Sequence, residues 1–300
     1  MSNSCVITNT DTEEKRAYDD DLARPKFAIM DPELTMTLPD YQTEAGCADI
    51  MMHTMERYFI PESQCEMTDE IAEGLLRTVI KNGPKVGVEI TDLGMEGEPE
   101  SVKAYYEGAA TMGEIAKKAA AMEGADFVAL ILEGGDPNGV NKSVDELIAV
   151  VKDVADSIDA PLVVEGCKNV EKDAELLPKV AEALQGRNVL ILSEKEENYK
   201  AIGAAAGLAY DQIVGAESAV DINLAKQLNV VTTQLGVDAK KIVMNIGSAA
   251  AGYGYEYVVS TMDRIKGAAL GQNDNMLQMP IITPVSSETW GVKESVATEE

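Results

Sequence analysis

From position 86 onward the chain alternates short apolar runs with longer segments in which apolar residues recur every three or four positions. The runs are 86–90, 127–132, 162–164, 189–192, 212–214, 242–244 and 279–282. They are strand-length, rich in Val, Ile and Leu, and suited to burial on both faces. The periodic segments, 113–123, 144–158, 171–184, 198–209, 221–235 and 255–270, predict helices between them. Such alternation predicts an α/β fold with a parallel sheet and crossover helices. Periodicity leaves open whether the sheet is doubly wound or closed into a barrel. No Gly-x-Gly-x-x-Gly follows the first run, which disfavours the dinucleotide-binding form. Seven units are present where a complete barrel has eight.

Before Gly83-Pro84 the pattern differs. Positions 9–24 are polar and charged and predict an exposed loop. Positions 26–30 form a short strand candidate ended by Asp31-Pro32, and Leu38-Pro39-Asp40 makes a second stop. A helix follows whose start Thr43 is placed to cap. It carries Asp49 and His53, four residues apart and so on one side of a helix, a spacing that suits two ligands of one metal ion and equally an ordinary surface contact. Two domains are therefore expected: 1–83, mainly helical, and 84–300, the α/β part.

Composition adds limits. The chain has 300 residues, 45% apolar and 26% charged, with aromatics at only 5%, so its core is aliphatic. The net charge of -27 arises from 52 acidic against 25 basic residues, and acidic residues outnumber basic ones on both sides of Gly83-Pro84. That field repels phosphate backbones and anionic headgroups, so neither nucleic acid nor a membrane surface is an expected partner. No apolar stretch approaches the ~20 residues of a membrane helix. Cys5, Cys47, Cys65 and Cys167 lack Cys-x-x-Cys spacing, and the first ten residues lack a leader pattern. Free thiols in a cytoplasmic protein are expected, with no iron-sulfur cluster held in this chain.

In a barrel, functional groups gather just after the strands. Here those positions hold Glu89 and Asp92, Glu133-Gly-Gly-Asp136, Glu165-Gly-Cys167, Ser193-Glu194, Gly215-Ala-Glu217 and Asn245-Ile-Gly247, together with Gln278 ahead of the last strand. A mouth with carboxylates and amides but no histidine or arginine suits a neutral ligand edged with amides better than a phosphorylated one. Each group also has a purely structural reading: glycines turn the chain, and Asn198 and Asp221 cap helices.

Two resemblances sharpen the picture. The segment Pro25-Lys-Phe-Ala-Ile-Met-Asp-Pro-Glu-Leu-Thr-Met-Thr-Leu-Pro39, then Glu44 to Phe59 and Leu75-Leu-Arg-Thr-Val-Ile80, resembles the iron-containing alcohol dehydrogenases of the butanol dehydrogenase branch. The resemblance implies that Asp49 and His53 are two of four metal ligands. The other two are histidines, and His53 is the sole histidine here, so residues 1–83 are expected to be a vestigial fragment without bound iron.

The segments Glu197-Asn-Tyr-Lys200, Asp221-Ile-Asn-Leu-Ala-Lys-Gln-Leu-Asn229, Gly252-Tyr-Gly-Tyr-Glu-Tyr257 and Met276-Leu-Gln-Met-Pro-Ile281 resemble the small (delta) subunit of the corrinoid iron-sulfur protein. The likeness covers 85–300. It implies a TIM-type barrel, ending short of the family's final strand and helix, with 26–30 the only strand candidate in the first piece available to fill the gap. It further implies a heterodimer with the large subunit, which carries the iron-sulfur cluster, and a cobamide shared between the two. That cobamide would carry a methyl group from methyltetrahydrofolate, through a methyltransferase, to acetyl-CoA synthase in the reductive acetyl-CoA pathway. Catalytic residues are not expected, and the cofactor-binding set implied is Asp136, Gly166, Asn198, Asp221, Asn223, Asn245, Gly252, Tyr253, Gly254 and Gln278. The competing readings are an iron-dependent, nicotinamide-linked alcohol dehydrogenase and an autonomous barrel methyltransferase.

Overall fold

The computed structural model describes residues 4–8, 15–19, 46–47, 50–51, 53–54, 66–82, 85–250 and 253–285. The chain divides into two compact units, Met1–Pro84 and Lys85–Glu300.

In the first unit, β1 (Ser4–Thr8) pairs antiparallel with β2 (Lys15–Asp19), Val6 opposite Ala17. This corrects the expectation of a loop over 15–19, the part of 9–24 that lies within the described residues. Ladder hydrogen bonds come from the backbone, so a charged segment joins a sheet when a neighbouring strand offers its edge, whatever its composition suggests. Residues 46–47, 50–51 and 53–54 are helical, as the spacing predicts, and α1 spans Glu66–Asn82. The strand candidate at 26–30 lies outside the described residues.

The second unit holds seven parallel strands: β3 (Gly87–Thr91), β4 (Phe127–Ile131), β5 (Leu162–Glu165), β6 (Leu190–Glu194), β7 (Ile213–Glu217), β8 (Ile242–Asn245) and β9 (Ile281–Ile282). Each pairs with the next in sequence. A doubly wound sheet reverses its order partway; this one never does, so its crossovers run one way, as in a barrel. β3 and β9 each have one neighbour among the described residues, and the barrel is incomplete.

Side-chain alternation separates the two faces. Val128, Leu130, Leu162, Val164, Ile191 and Val214 pack outward against helix residues such as Leu147, Val151, Leu176 and Val180. On the other face Ala129, Val163 and Leu192 form a small cluster that Ile282 of β9 joins. Three strand spacings separate β6 from β9, about 14 Å in a flat sheet. The shared cluster therefore requires the sheet to curl.

The connecting helices begin where the sequence supplies caps. α3 (Met112–Ala120) and α4 (Val144–Ser157) open with reciprocal capping boxes, Thr111 with Glu114 and Ser143 with Glu146. Asn169 caps α5 (Val170–Ala183), and Asp221 caps α7 (Ile222–Leu235), which ends at the left-handed Gly236. α8 is Tyr255–Gly271. Two features depart from the pattern. α2 (Glu100–Tyr105) buries no residue and so leaves no apolar period to read. The predicted helix 198–209 is a single turn, α6 (Tyr199–Ile202), continued by a π-helical turn, Gly203–Ala209.

Between β6 and β7 the register shifts: Ile191 lies opposite Val214, but Glu194 lies opposite Ala216. One extra residue on β6 makes a bulge, with Ser193 at φ 71°. The bulge turns Glu194 outward, into the helix layer, where Thr232 of α7 donates a hydrogen bond to Oε1. Glu194 thus leaves the set of strand-end groups that the sequence places at the barrel mouth. It is fully buried, its Oε2 has no partner among the described residues, and burial pushes its carboxyl up to about 7.

Candidate functional site at the barrel mouth

A TIM-type barrel fills its interior with layers drawn from alternate strands. At the C-terminal end one such layer draws Glu89 from β3, Glu165 from β5 and Glu217 from β7. Glu165 feels the charges of Glu89 and Glu217 as well as those of Lys168 and Lys195. These groups therefore converge although their strands are not adjacent. Lys195, just beyond β6, bridges to Glu217 at 3.2 Å. Glu165 is only 4% exposed and makes no hydrogen bond among the described residues. Burial, which outweighs the neighbouring lysines, pushes its carboxyl up to about 7.

The loops around this layer are tied by buried polar contacts. The Asp92 carboxylate accepts from the Gly134 amide at 2.7 Å and pairs with Lys142 Nζ at 2.8 Å, which joins the loops after β3 and β4. After β5, Asp173 of α5 reaches back to accept from the Cys167 amide and thiol at 2.8 and 3.2 Å. Burial raises the Asp173 carboxyl and, with that contact, pushes the Cys167 thiol up to about 11, an inert thiol. Gly166 donates its amide to Ser193 Oγ at 3.1 Å, and a Cβ there would overlap the Asp173 carboxyl. Gly166→Ala is accordingly expected to cost about 2 kcal/mol in urea unfolding, with no loss if Asp173 swings aside freely.

The structure sorts the remaining candidates. Asn198 is buried and holds the β6 loop, its Oδ1 accepting from the Lys195 amide at 2.7 Å and its Nδ2 donating to the Ser193 carbonyl at 3.3 Å. It makes no side-chain cap to α6. The Asp221 carboxylate accepts from the Asn223 and Leu224 amides at 2.8 and 3.2 Å, whereas the Asn223 side chain is exposed. Asn245, buried on the inner side beside Glu217, accepts from the Gly247 amide at 3.0 Å. Asp136 accepts from the Asn138 amide in the loop after β4. Tyr253 is exposed, and Gly254 takes φ 114° at the start of α8, a left-handed conformation that suits glycine. Gly252 lies outside the described residues.

Gln278 stands apart. Its amide donates to the Ala269 carbonyl near the end of α8 and to Asn273, both at 3.1 Å, so it occupies the end of the sheet where strands begin, opposite the mouth. Asp49 lies outside the described residues, and His53 is exposed. Among the described residues no group of three or more His, Cys, Asp or Glu is arranged to hold a metal ion. Two groups escape the sequence reading: Ser218 and Ser248, just beyond β7 and β8, have buried hydroxyls without partners among the described residues. Isolated serines in loops leave no periodic signal.

The sequence profile of the CO dehydrogenase/acetyl-CoA synthase delta subunit family matches residues 75–299. The chain belongs to that family. The match begins within α1, ahead of Gly83-Pro84, and runs through all seven barrel strands. The delta subunit of the acetyl-CoA decarbonylase/synthase complex of Methanothermobacter thermautotrophicus is 32% identical over 215 residues, which is 71% of this chain and 54% of that protein. The Methanocaldococcus jannaschii delta subunit is 33% identical over 202 residues, 67% of this chain and 49% of that protein. For delta subunit 1 of Methanosarcina thermophila the figures are 33% over 217 residues, 71% and 49%. The chain spans about half the length of the curated relatives it matches. Among the described residues no helix is long and apolar enough to cross a membrane.

Proposed function

We propose that residues 85–300 serve as the delta-subunit barrel of an acetyl-CoA decarbonylase/synthase system: a carrier subunit that helps hold a cobamide for methyl transfer in the reductive acetyl-CoA pathway. The observation that carries this reading is the family match across the whole barrel, including the strands that build its mouth. The cobamide would bring the methyl-carrying chemistry; the chain's residues bind, orient and shield it. The mouth suits that task. Among the described residues Glu165 is a buried carboxyl that makes no hydrogen bond, Ser218 and Ser248, close in sequence to β7 and β8, have buried hydroxyls without partners, and a corrin rimmed with amides has acceptors and donors for them. Residues that would hold it are Glu89, Glu165, Glu217, Lys195 and Asn245, with the loops carrying Asp136, Asp221, Asn223, Tyr253 and Gly254.

The partner in this proposal is the corrinoid-bearing large subunit, with the methyltetrahydrofolate methyltransferase and acetyl-CoA synthase as later contacts, in the cytoplasm. Exposed Tyr253 and Tyr257 at the start of α8 give the rim an aromatic patch of the type protein interfaces favour. Mixing the tagged chain with a large subunit should give a one-to-one complex on size exclusion, carrying corrin absorbance. Two separate peaks at micromolar concentrations would refute the carrier-subunit assignment. Residues 1–83 stand in the same proposal as a vestigial dehydrogenase-like fragment. Stoichiometric iron lost on His53→Ala would overturn that part.

A further inference from the structure

The carboxylate layer has a selectivity that the family assignment does not specify. Glu165 sits among Glu89, Glu217, Lys168 and Lys195, with Asp173 also sensing Lys195 and Glu217. Lys195 is already engaged by Glu217. Glu165, nine-tenths buried, makes no hydrogen bond among the described residues, and its place on the inner face of β5 puts it in the layer that lines the mouth. A buried carboxyl of this kind is a poor neighbour for another carboxylate and a good one for a primary amide. As a neutral acid it donates O–H to the amide carbonyl while its own carbonyl accepts from the amide N–H, so both groups are satisfied at once.

We infer that Glu165 is the specificity-determining residue of the barrel mouth, a protonated hydrogen-bond donor that admits a ligand bearing primary carboxamides and rejects the same ligand bearing free carboxylates. The inference rests on the corrinoid reading of the mouth and narrows it to amidated corrinoids. Against an amide, Glu165 gives up nothing by staying neutral. Against a carboxylate, Glu89, Glu217 and Asp173 add repulsion that opposes the attraction of Lys168, while the ammonium of Lys195 is engaged by Glu217. Raising the pH ionises Glu165, removes its only donor hydrogen and adds a third negative charge to the layer.

The test is equilibrium dialysis of the full chain against dicyanocobinamide, whose corrin side chains are amides, and cobyrinic acid, whose side chains are carboxylates, followed by corrin absorbance. Wild-type affinity for dicyanocobinamide should fall about tenfold between pH 6 and pH 8 as the donor is lost. Glu165→Gln keeps a donor at every pH, so its affinity should stay level across that range, while Glu165→Ala should lose about tenfold at pH 6. Cobyrinic acid should bind wild type at least about tenfold more weakly than dicyanocobinamide at pH 7. Circular dichroism at each pH confirms that the variants are folded. Matching pH profiles for wild type and Glu165→Gln, or equal affinity for the two corrinoids, would overturn the inference. Capture of the large subunit with no binding of either corrinoid would overturn it too and leave the carrier-subunit reading standing. The expected pH profile without capture of the large subunit would uphold it and refute the partner instead.

Discussion

Glu194→Gln is expected to flatten the pH dependence of stability, and to make the protein more stable than wild type at pH 8. In the folded chain the Glu194 carboxyl is fully buried, and its Oε2 has no partner among the described residues; burial raises it from 4.5 to about 7, with Thr232 opposing. A raised folded value means that the unfolded chain releases its proton first. The stabilisation is complete below pH 4.5, declines as the pH rises toward 7, and is gone above it. The loss is about 3 kcal/mol from this one side chain. Glutamine has no charge to lose, although its amide N–H₂ in place of Oε2 forfeits about 1 to 2 kcal/mol of that advantage. Urea unfolding at pH 5 and pH 8 reads the difference directly. Wild type and variant declining in parallel would show that Glu194 does not titrate in this window.

Asp92→Ala is expected to cost more than any surface change, about 3 kcal/mol by urea unfolding at pH 7. Its side chain is wholly buried; it accepts from the Gly134 amide and pairs at 2.8 Å with the Lys142 ammonium, which also donates to the Asp92 carbonyl. Truncation strands the Gly134 N–H and removes the counter-charge of an ammonium that is only a quarter exposed, leaving it the Asp92 carbonyl. Asp92→Asn keeps an acceptor for Gly134 and forfeits the charge, so roughly half the loss is expected. The alanine and asparagine variants behaving alike would assign the whole effect to the ion pair. A loss below about 1 kcal/mol for alanine would mean that the loops after β3 and β4 are held by other contacts.

How much of the fold is legible in the sequence follows from how the core is built. Strands buried on both faces must be continuous apolar runs, and all seven are visible as such; 127–132 and 242–244 match β4 and β8 to within a residue at either end. Their order is not visible, because alternation is the same in an open sheet and a barrel; it takes the contact of Ile282 with the Leu192 cluster to show the curl. Glu89, Glu165 and Glu217 stand out as strand-end acids, yet only the alternation of inward and outward positions reveals that they share one layer. Polar segments hide their structure for the opposite reason. β2 holds Lys15, Arg16 and Asp19, so nothing in its composition signals the ladder it makes with β1. The Asp221 carboxylate is spent on the first turn of α7, and the Gln278 amide lies at the far end of the sheet, because spacing cannot say which partner a polar group meets.

The bulge in β6 means that the charge of the mouth depends on how the backbone pairs as well as on the number of acids the strands carry. Strict two-residue alternation from Leu190 would bring Glu194 round to the same side as Glu165 and Glu217. Losing the bulge with Ser193 retained would therefore convert a three-acid rim into a four-acid one without altering any carboxylate and would take Glu194 away from Thr232, whereas deleting Ser193 would leave Glu194 opposite Ala216 and facing the helix layer. In this barrel the pairing of one strand is a matter of electrostatics, because it decides whether a carboxylate faces the helices or the mouth.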